Sequence, residues 1–184
     1  MEKINSTIIM QQRLAECMGF DKYTLIQEQV HKVDVSKDTN FQRMFNRFYR
    51  VRRNEGWRKQ YYQLFEQIKQ SNKLEFAYIL EELYHLTGNI EASFSSKMLA
   101  TLKPEMPIWD KYVIQNLQIK IPKDSDAKRI LKVEKSYSDI VEWYRKFMKT
   151  ENAQECLEKF DEMLPDYAWF SEVKKIDFYL WSIR

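Results

Sequence analysis

Residues 86–117 read LTGNIEASFSSKMLATLKPEMPIWDKYVIQNL, and this stretch says more about the fold than any other part of the chain. It begins where a helix predicted over 73–86 ends. Gly88 and Asn89 then predict a tight turn, because both residue types tolerate the left-handed backbone that closes a helix. A second helix is predicted over 91–102. The pattern therefore predicts two helices joined as a hairpin.

The same stretch continues through an extended link into a third helix. Pro104 and Pro107 flank the link, and a residue that precedes proline is biased toward extended backbone. Asp110 follows, and aspartate is a common first residue of a helix. We predict a helix over 111–118.

Outside this stretch the chain also has the pattern of a helical protein. Only three glycines and four prolines occur among 184 residues, too few for the frequent turns of a β-sandwich or barrel. Apolar residues recur at spacings of three and four, which is typical of amphipathic helices. We therefore predict an all-α fold. The remaining predicted helices lie at about 5–18, 22–33, 40–54, 57–70, 125–149, 152–163 and 171–183.

Composition also excludes several kinds of site. Three glycines cannot form the glycine-rich loops that hold nucleotide phosphates. Two histidines, with Cys17 and Cys156 far apart in sequence, are too few for a zinc site or an iron–sulfur cluster. We expect no cofactor and no metal. No apolar window is long enough for a membrane span or a signal peptide, so we expect a cytoplasmic protein.

The net charge of +3 is divided unevenly along the chain. Residues 41–60 contain seven basic residues against Glu55, a net charge of +6, whereas the rest holds 23 basic and 26 acidic residues, a net charge of −3. At about 100° per residue, Phe41, Phe45 and Phe48 lie on one side of the predicted helix. The opposite side carries Arg43, Arg47 and Arg50.

Two interpretations of this charge stay open. An exposed row of arginines can simply keep a protein in solution. Alternatively, the arginines contact the phosphates of double-stranded DNA, or the carboxylates of an acidic protein partner. The candidate contact residues are Arg43, Arg47, Arg50, Arg53 and Arg58.

The hairpin and the aspartate that follows it resemble the helix-hairpin-helix superfamily of DNA glycosylases. In that family the hairpin has the form LPGxGxxTA, and an extended segment leads from it to a catalytic aspartate. Leu86, Gly88 and Asp110 fall in the matching places, and Val113 stands three residues after the aspartate, as in the family. The match covers about 30 of 184 residues. It implies a two-lobed helical protein that binds duplex DNA and acts as a hydrolase in DNA repair.

Two departures from the family pattern concern the chemistry. Ile90 replaces the second glycine of the hairpin, so a side chain stands close to one of the amides that would approach a phosphate. Ala92 occupies the position of the Schiff-base lysine of bifunctional members, and Lys97 lies about 140° away around the helix. The resemblance therefore implies either a monofunctional N-glycosylase or a descendant that has lost catalysis.

Asp110 is the candidate catalytic residue. Cleavage of an N-glycosidic bond develops positive charge on the sugar, and a nearby carboxylate can stabilise that charge and orient the attacking water. The N-terminus of a helix favours the ionised carboxylate. The same position has a second interpretation, because aspartate also caps helices that have no catalytic role.

Four neighbouring positions have paired interpretations of the same kind. Trp109 and Tyr112 are candidates for stacking on an extruded base, or they pack in the core. Gly88 and Asn89 present turn amides to a DNA phosphate, or they form an ordinary helix end.

The C-terminal part of the chain carries an aromatic run. Residues 178–181 read FYLW, and we predict that they belong to the core. The two preceding basic residues, Lys174 and Lys175, are predicted to point outward.

We predict two lobes, an arrangement that is similar to that of the glycosylases. Residues 36–121 form the lobe with the hairpin and Asp110, and residues 1–35 pack with 122–184 as the second. The predicted function is a DNA-binding, glycosylase-like protein, with Asp110 as the candidate carboxylate of a monofunctional base-excision enzyme. The alternative is a non-catalytic helical module that binds DNA or an acidic protein.

Overall fold

The computed structural model describes residues 3–13, 19–121 and 126–183, and of residues 126 and 127 it describes the backbone alone. These parts of the chain form ten α-helices, one short 3₁₀ helix and no strand, which confirms the predicted all-α class. The chain divides into two compact units. Unit 1 comprises Met1–Cys17 and Pro104–Arg184, and unit 2 comprises Met18–Lys103. The predicted lobes have other boundaries and stay a prediction.

Unit 2 contains five helices, α2 to α6. Asp38 begins α3 by accepting the backbone N–H of Phe41 at 2.7 Å, and Asn54 begins α4 by accepting that of Trp57 at 2.9 Å. Both are side-chain caps that satisfy a helix N–H group. The helices are α2 (Phe20–Gln29), α3 (Thr39–Phe48), α4 (Glu55–Gln70), α5 (Phe76–Thr87) and α6 (Ala92–Leu102).

A cluster of aromatic rings packs α3 against α4. Phe45 lies at the centre of this cluster and is fully buried. The centroid of its ring is 4.6 to 6.0 Å from the ring centroids of five neighbours. Edge-to-face and tilted pairs at such distances stabilise beyond the area that they bury. The neighbours are Phe41, Tyr49, Tyr61, Tyr62 and Phe65. The predicted inward orientation of Phe41 and Phe45 is confirmed.

The predicted helix over 40–54 is wrong at its end, because α3 stops at Phe48. Arg50 has a φ of 53°, the left-handed region in which glycine is the usual residue. The N–H of Val51 donates to the carbonyl oxygen of Asn46 at 2.9 Å, and the Val51 side chain is buried, as in a Schellman helix end. The chain therefore reverses at an arginine, where the sequence has no glycine to mark the turn.

Unit 1 contains the other helices. Asn152 at the start of α9 joins it to the segment before α1, because its side-chain amide exchanges two hydrogen bonds with the backbone of Ile4, at 2.8 and 2.9 Å. The helices are α1 (Ser6–Arg13), α7 (Lys111–Asn116), α8 (Asp126–Phe147), α9 (Glu151–Met163) and α10 (Glu172–Ser182), with a 3₁₀ helix at Pro165–Tyr167. Residues 14–18 of the predicted first helix, Cys17 among them, lie outside the described residues.

The short helix α7 is held at its end by a neighbouring helix. The side-chain amide of Asn116 donates to the carbonyl oxygens of Leu180 at 2.7 Å and Ile183 at 3.0 Å, which are the open acceptors at the end of α10. Before α7, the extended link is fixed by the Tyr137 hydroxyl, which donates to the carbonyl oxygen of Pro107 at 2.8 Å. Asp110, at the start of α7, thus sits on a well-braced segment.

Replacing Arg50 tests the strain at the end of α3. We expect Arg50→Gly to raise the free energy of unfolding by about 1 kcal/mol relative to Arg50→Ala, because both variants lose the charge but glycine alone relieves the left-handed backbone. Urea denaturation of the two variants measures the difference. Equal stability of the two would contradict a strained turn.

Candidate functional site

The predicted hairpin is present in unit 2 as α5, a turn and α6. Gly88 has a φ of 68°, and its N–H donates to the carbonyl oxygen of Tyr84 at 2.8 Å, which closes α5. The N–H of Asn89 donates to the hydroxyl oxygen of Thr87 at 3.3 Å, and the Asn89 side-chain amide donates to the Thr87 carbonyl oxygen at 2.9 Å. Gly88 and Asn89 are both exposed. Their N–H groups already have acceptors within the turn, so contact with a DNA phosphate stays a prediction.

A partly buried ion pair lies directly before α6. Glu91 is 6% exposed, and both of its carboxylate oxygens accept from Nη2 of Arg53 at 2.8 Å. The Arg53 guanidinium lies 5.6 Å from the ring centroid of Trp57 and 5.3 Å from that of Phe94. The positive end of α6 also favours a carboxylate at this place. Sequence reasoning missed Glu91, although an acidic first residue of the helix predicted over 91–102 was the available signal.

The other predicted arginines differ in their availability. Arg43, Arg47 and Arg50 are exposed, whereas Arg58 is half-buried and Arg53 belongs to the pair with Glu91. Two cations that were not selected, Arg52 and Lys59, are exposed as well. The five exposed cations of the segment that form no ion pair are what we call the arginine surface: Arg43, Arg47, Arg50, Arg52 and Lys59.

Neutralising groups are scarce on the arginine surface. The side chain of Arg43 donates to the Asn40 amide oxygen, a neutral acceptor. Glu55 is the single acidic residue of the 41–60 segment. Within this segment, all of which the structure describes, Arg53 is the one arginine in an ion pair. Within the described residues, no ion pair therefore neutralises the five cations of the arginine surface.

Asp110 belongs to unit 1, whereas the hairpin and the arginine surface belong to unit 2. One carboxylate oxygen, Oδ1, accepts the backbone N–H of Tyr112 at 2.8 Å, so Asp110 caps α7. The side chain is half-buried. This geometry is what the capping interpretation predicts, and it leaves the carboxylate partly accessible for the catalytic one.

The two candidate base-stacking rings pack within unit 1. Trp109 is buried, and Tyr112 is half-buried with its ring perpendicular to that of Trp181 at a centroid distance of 6.4 Å. A buried indole has no open face for a base. Stacking on an extruded base stays a prediction, and Tyr112 is the better placed of the two.

Asp177, which directly precedes the C-terminal aromatic run, is a second carboxylate near Asp110. Asp177 is 7% exposed and accepts hydrogen bonds from the Tyr144 hydroxyl and from the backbone N–H of Ile108. Burial raises the pKa of the Asp177 carboxyl to about 6, against the opposing effects of Lys174 and of the Tyr144 hydrogen bond. The negative charge of Asp110 raises it further. Sequence reasoning missed Asp177 because it treated its surroundings as uniform core.

The two lysines before the aromatic run do not both point outward. Lys175 is buried, with its ammonium group 2.6 Å from the carboxylate of Asp161, so the predicted outward orientation is wrong for this residue. Lys174 is half-buried, and burial lowers the pKa of its ammonium group. A lysine stem is long enough to cross apolar surface and carry its charge to a partner, which a helical wheel does not reveal.

The pKa of Asp177 predicts how stability depends on pH. The folded protein keeps the proton up to about pH 6, whereas the unfolded chain loses it near 3.8, so the free energy of unfolding falls by about 3 kcal/mol as pH rises through this interval. Asp177→Asn has no such proton. The variant should gain that amount relative to the wild type between pH 4 and pH 7, as measured by urea denaturation.

The comparison of the two proteins cancels the contributions of other carboxyls. Ion-paired Lys37 and Arg145 lower the pKa of Asp34 and Glu142 to about 2, and both carboxyls are present in each protein. A stability difference that stays constant across the pH range would show that Asp177 is not the buried titrating group.

Comparison with protein-family models, curated proteins and solved structures finds no match in any of the three. The resemblance to DNA glycosylases therefore rests on residues 86–117 alone. Among the described residues, no helix is long and apolar enough to cross a membrane.

Proposed function

We propose that the chain binds duplex DNA through the arginine surface. The observation that carries this proposal is the set of five exposed cations without an ion pair in a segment with one acidic residue. Arg43 and Arg47 are four residues apart on α3, so they lie on one side of that helix, and Arg50 follows in the turn that ends it. Duplex DNA carries about one negative charge per 1.7 Å of its axis, so such a row meets phosphates in many registers.

DNA fits this surface better than an acidic protein does. The buried centre of a protein–protein interface is usually apolar and rich in aromatic residues. Every large apolar side chain that is strongly exposed in the described chain lies outside residues 39–60. A surface of guanidinium groups without an apolar centre is typical of contacts with a phosphate backbone, which give affinity without reading sequence.

Base excision at Asp110 is the second part of the proposal. It depends on the resemblance and on one feature of the geometry, the partly accessible carboxylate at the start of α7. The hydrogen bond from Tyr112 orients this group, and the helix dipole favours its negative charge. Such a carboxylate could stabilise the cationic sugar and direct a water molecule to it.

Salt dependence of duplex binding tests the first part. If four cations of the arginine surface neutralise phosphates, the logarithm of the binding constant should fall with the logarithm of salt concentration at a slope near −3.6. Arg43→Glu with Arg47→Glu should weaken binding by on the order of tenfold or more and flatten the slope by about 1.8. Fluorescence anisotropy of a labelled duplex measures both quantities.

A matched control separates local contact from net charge. Lys146 and Lys149 are exposed near the end of α8, and Lys146→Glu with Lys149→Glu changes the net charge by the same amount. This control should bind DNA as the wild type does. Equal loss of DNA binding in both double variants, or no duplex binding at low salt, would contradict DNA binding by the arginine surface.

Product formation tests the second part. Duplexes with deaminated, alkylated or oxidised bases are incubated with the protein, and abasic sites are detected by strand cleavage in alkali. Asp110→Asn should lower the yield by about 100-fold, while its stability is retained because asparagine also caps helices. Asp166→Asn, an exposed residue of the 3₁₀ helix, is the control. Unchanged activity in Asp110→Asn would exclude catalysis by this carboxylate.

A further inference from the structure

A groove in unit 1 lies between the segment that follows α7 and one face of α8. Gln118 has a φ of 55°, and the N–H of Ile119 donates to the carbonyl oxygen of Ile114 at 3.0 Å, so the chain turns sharply after α7 and then runs past α8. The groove has a volume of about 460 Å³, within the range of pockets that hold small organic ligands. Its lining consists of residues 118–121 and, from α8, Lys132, Lys135, Ser136 and Asp139.

The two walls of the groove are joined by protein contacts. The buried hydroxyl of Ser136 lies 3.4 Å from the carbonyl oxygen of Lys120 and 2.9 Å from that of Lys132. Lys135, Ser136 and Asp139 lie three, four and seven residues after Lys132, which places all four on one face of α8.

The charge of the groove favours an anion. Among the described lining residues, three are lysines, at positions 120, 132 and 135, and one is a carboxylate, Asp139, so their formal charges sum to +2. Lys132 also has an interaction within the protein. Lys135 and Asp139 are 3.7 Å apart, longer than a direct hydrogen bond. Among the described residues, no three acidic, histidine or cysteine side chains lie together in a way that would hold a metal ion. The groove thus attracts a negative group rather than a cation.

Apolar side chains lie beside these charges. Ile119 and Ile121 line the groove, and Ile121 is 51% exposed. Leu131, the residue before Lys132 on α8, is 66% exposed. The two isoleucines give the groove an apolar part beside its charged side chains. The ligand that matches both features has an anionic head and an aliphatic part.

We propose that this groove binds a single-chain anionic amphiphile. Its phosphate or carboxylate head contacts the ammonium groups of Lys120 and Lys135, and its aliphatic part lies against Ile119 and Ile121. This site is separate from the proposed DNA contact, because the groove belongs to unit 1 and the arginine surface to unit 2. Either proposal can therefore fail while the other holds.

Isothermal titration calorimetry of the full chain tests the proposal with three probes. Octyl phosphate below its micelle concentration carries both features, inorganic phosphate carries the charge alone, and octanol carries the chain alone. We expect saturable binding of octyl phosphate at one site, at least about tenfold tighter than either of the others. Absence of octyl phosphate binding, or equal binding of octanol, overturns the proposal.

Variants assign the binding to this groove. Lys120→Glu with Lys135→Glu should weaken the binding of octyl phosphate by at least about tenfold. Lys146→Glu with Lys149→Glu makes the same charge change elsewhere and should leave this binding unchanged. Thermal unfolding confirms that each variant is folded. Ile121→Ser changes no charge and should weaken the binding of octyl phosphate by several-fold. This variant gives a second test if the charge variant fails to fold. Unchanged binding in the folded variants overturns the proposal.

A bilayer is the other source of the same chemistry. Sedimentation with phosphatidylcholine vesicles, with and without phosphatidylserine, distinguishes it from a dispersed ligand. Binding to the anionic vesicles without binding of octyl phosphate would assign the lysines to a membrane surface and overturn a ligand site in the groove.

Discussion

The packing of Phe45 among five other rings is the constraint on which unit 2 depends. Because this ring is fully buried between α3 and α4, the orientation of α3 about its own axis is determined. The helical repeat of about 3.6 residues then places Arg43 and Arg47 on the opposite side, in solvent. The exposure of these two members of the arginine surface is thus a geometric consequence of the aromatic cluster. A protein that buried the same rings with another spacing would scatter these charges.

Identical chemical groups have different roles in this chain because their surroundings differ. Arg53 is held by a buried carboxylate and two aromatic rings, whereas Arg47, six residues earlier, faces water. Three carboxylates differ in the same way. Glu91 is neutralised by an ion pair, Asp110 caps a helix while partly accessible, and Asp177 is buried with a raised pKa. Residue type alone therefore did not identify which of them is available for a partner or a substrate.

Helical class and the inward side of α3 were predictable, because both follow from short-range rules. Few glycines and prolines exclude frequent turns, and the spacing of Phe41 and Phe45 identifies the buried side. The end of α3 was not predictable, since the turn uses a left-handed arginine in place of glycine. Tertiary contacts between residues that are far apart in sequence were not predictable either.

Two of those contacts explain why the candidate site was only partly anticipated. The pair of Arg53 with Glu91 joins residues 38 positions apart, and the contact of Tyr144 with Asp177 joins residues 33 apart. Periodicity reports which side of a helix is apolar, but it does not report which polar side chains meet inside the fold. Asp110 was identified because its position at a helix start is a local property, whereas its buried neighbour Asp177 depends on the packing of three elements.

The side-chain amide of Asn116 makes α7 sensitive to deamidation, a form of chemical ageing. A helix of six residues is too short to persist by itself, so α7 relies on its two braced ends. Deamidation would replace the Asn116 donor by a carboxylate that faces two carbonyl oxygens of α10. The resulting repulsion would loosen α7 and, with it, the orientation of Asp110 six residues earlier. Slow spontaneous hydrolysis at one side chain would thus disturb a carboxylate that it does not touch.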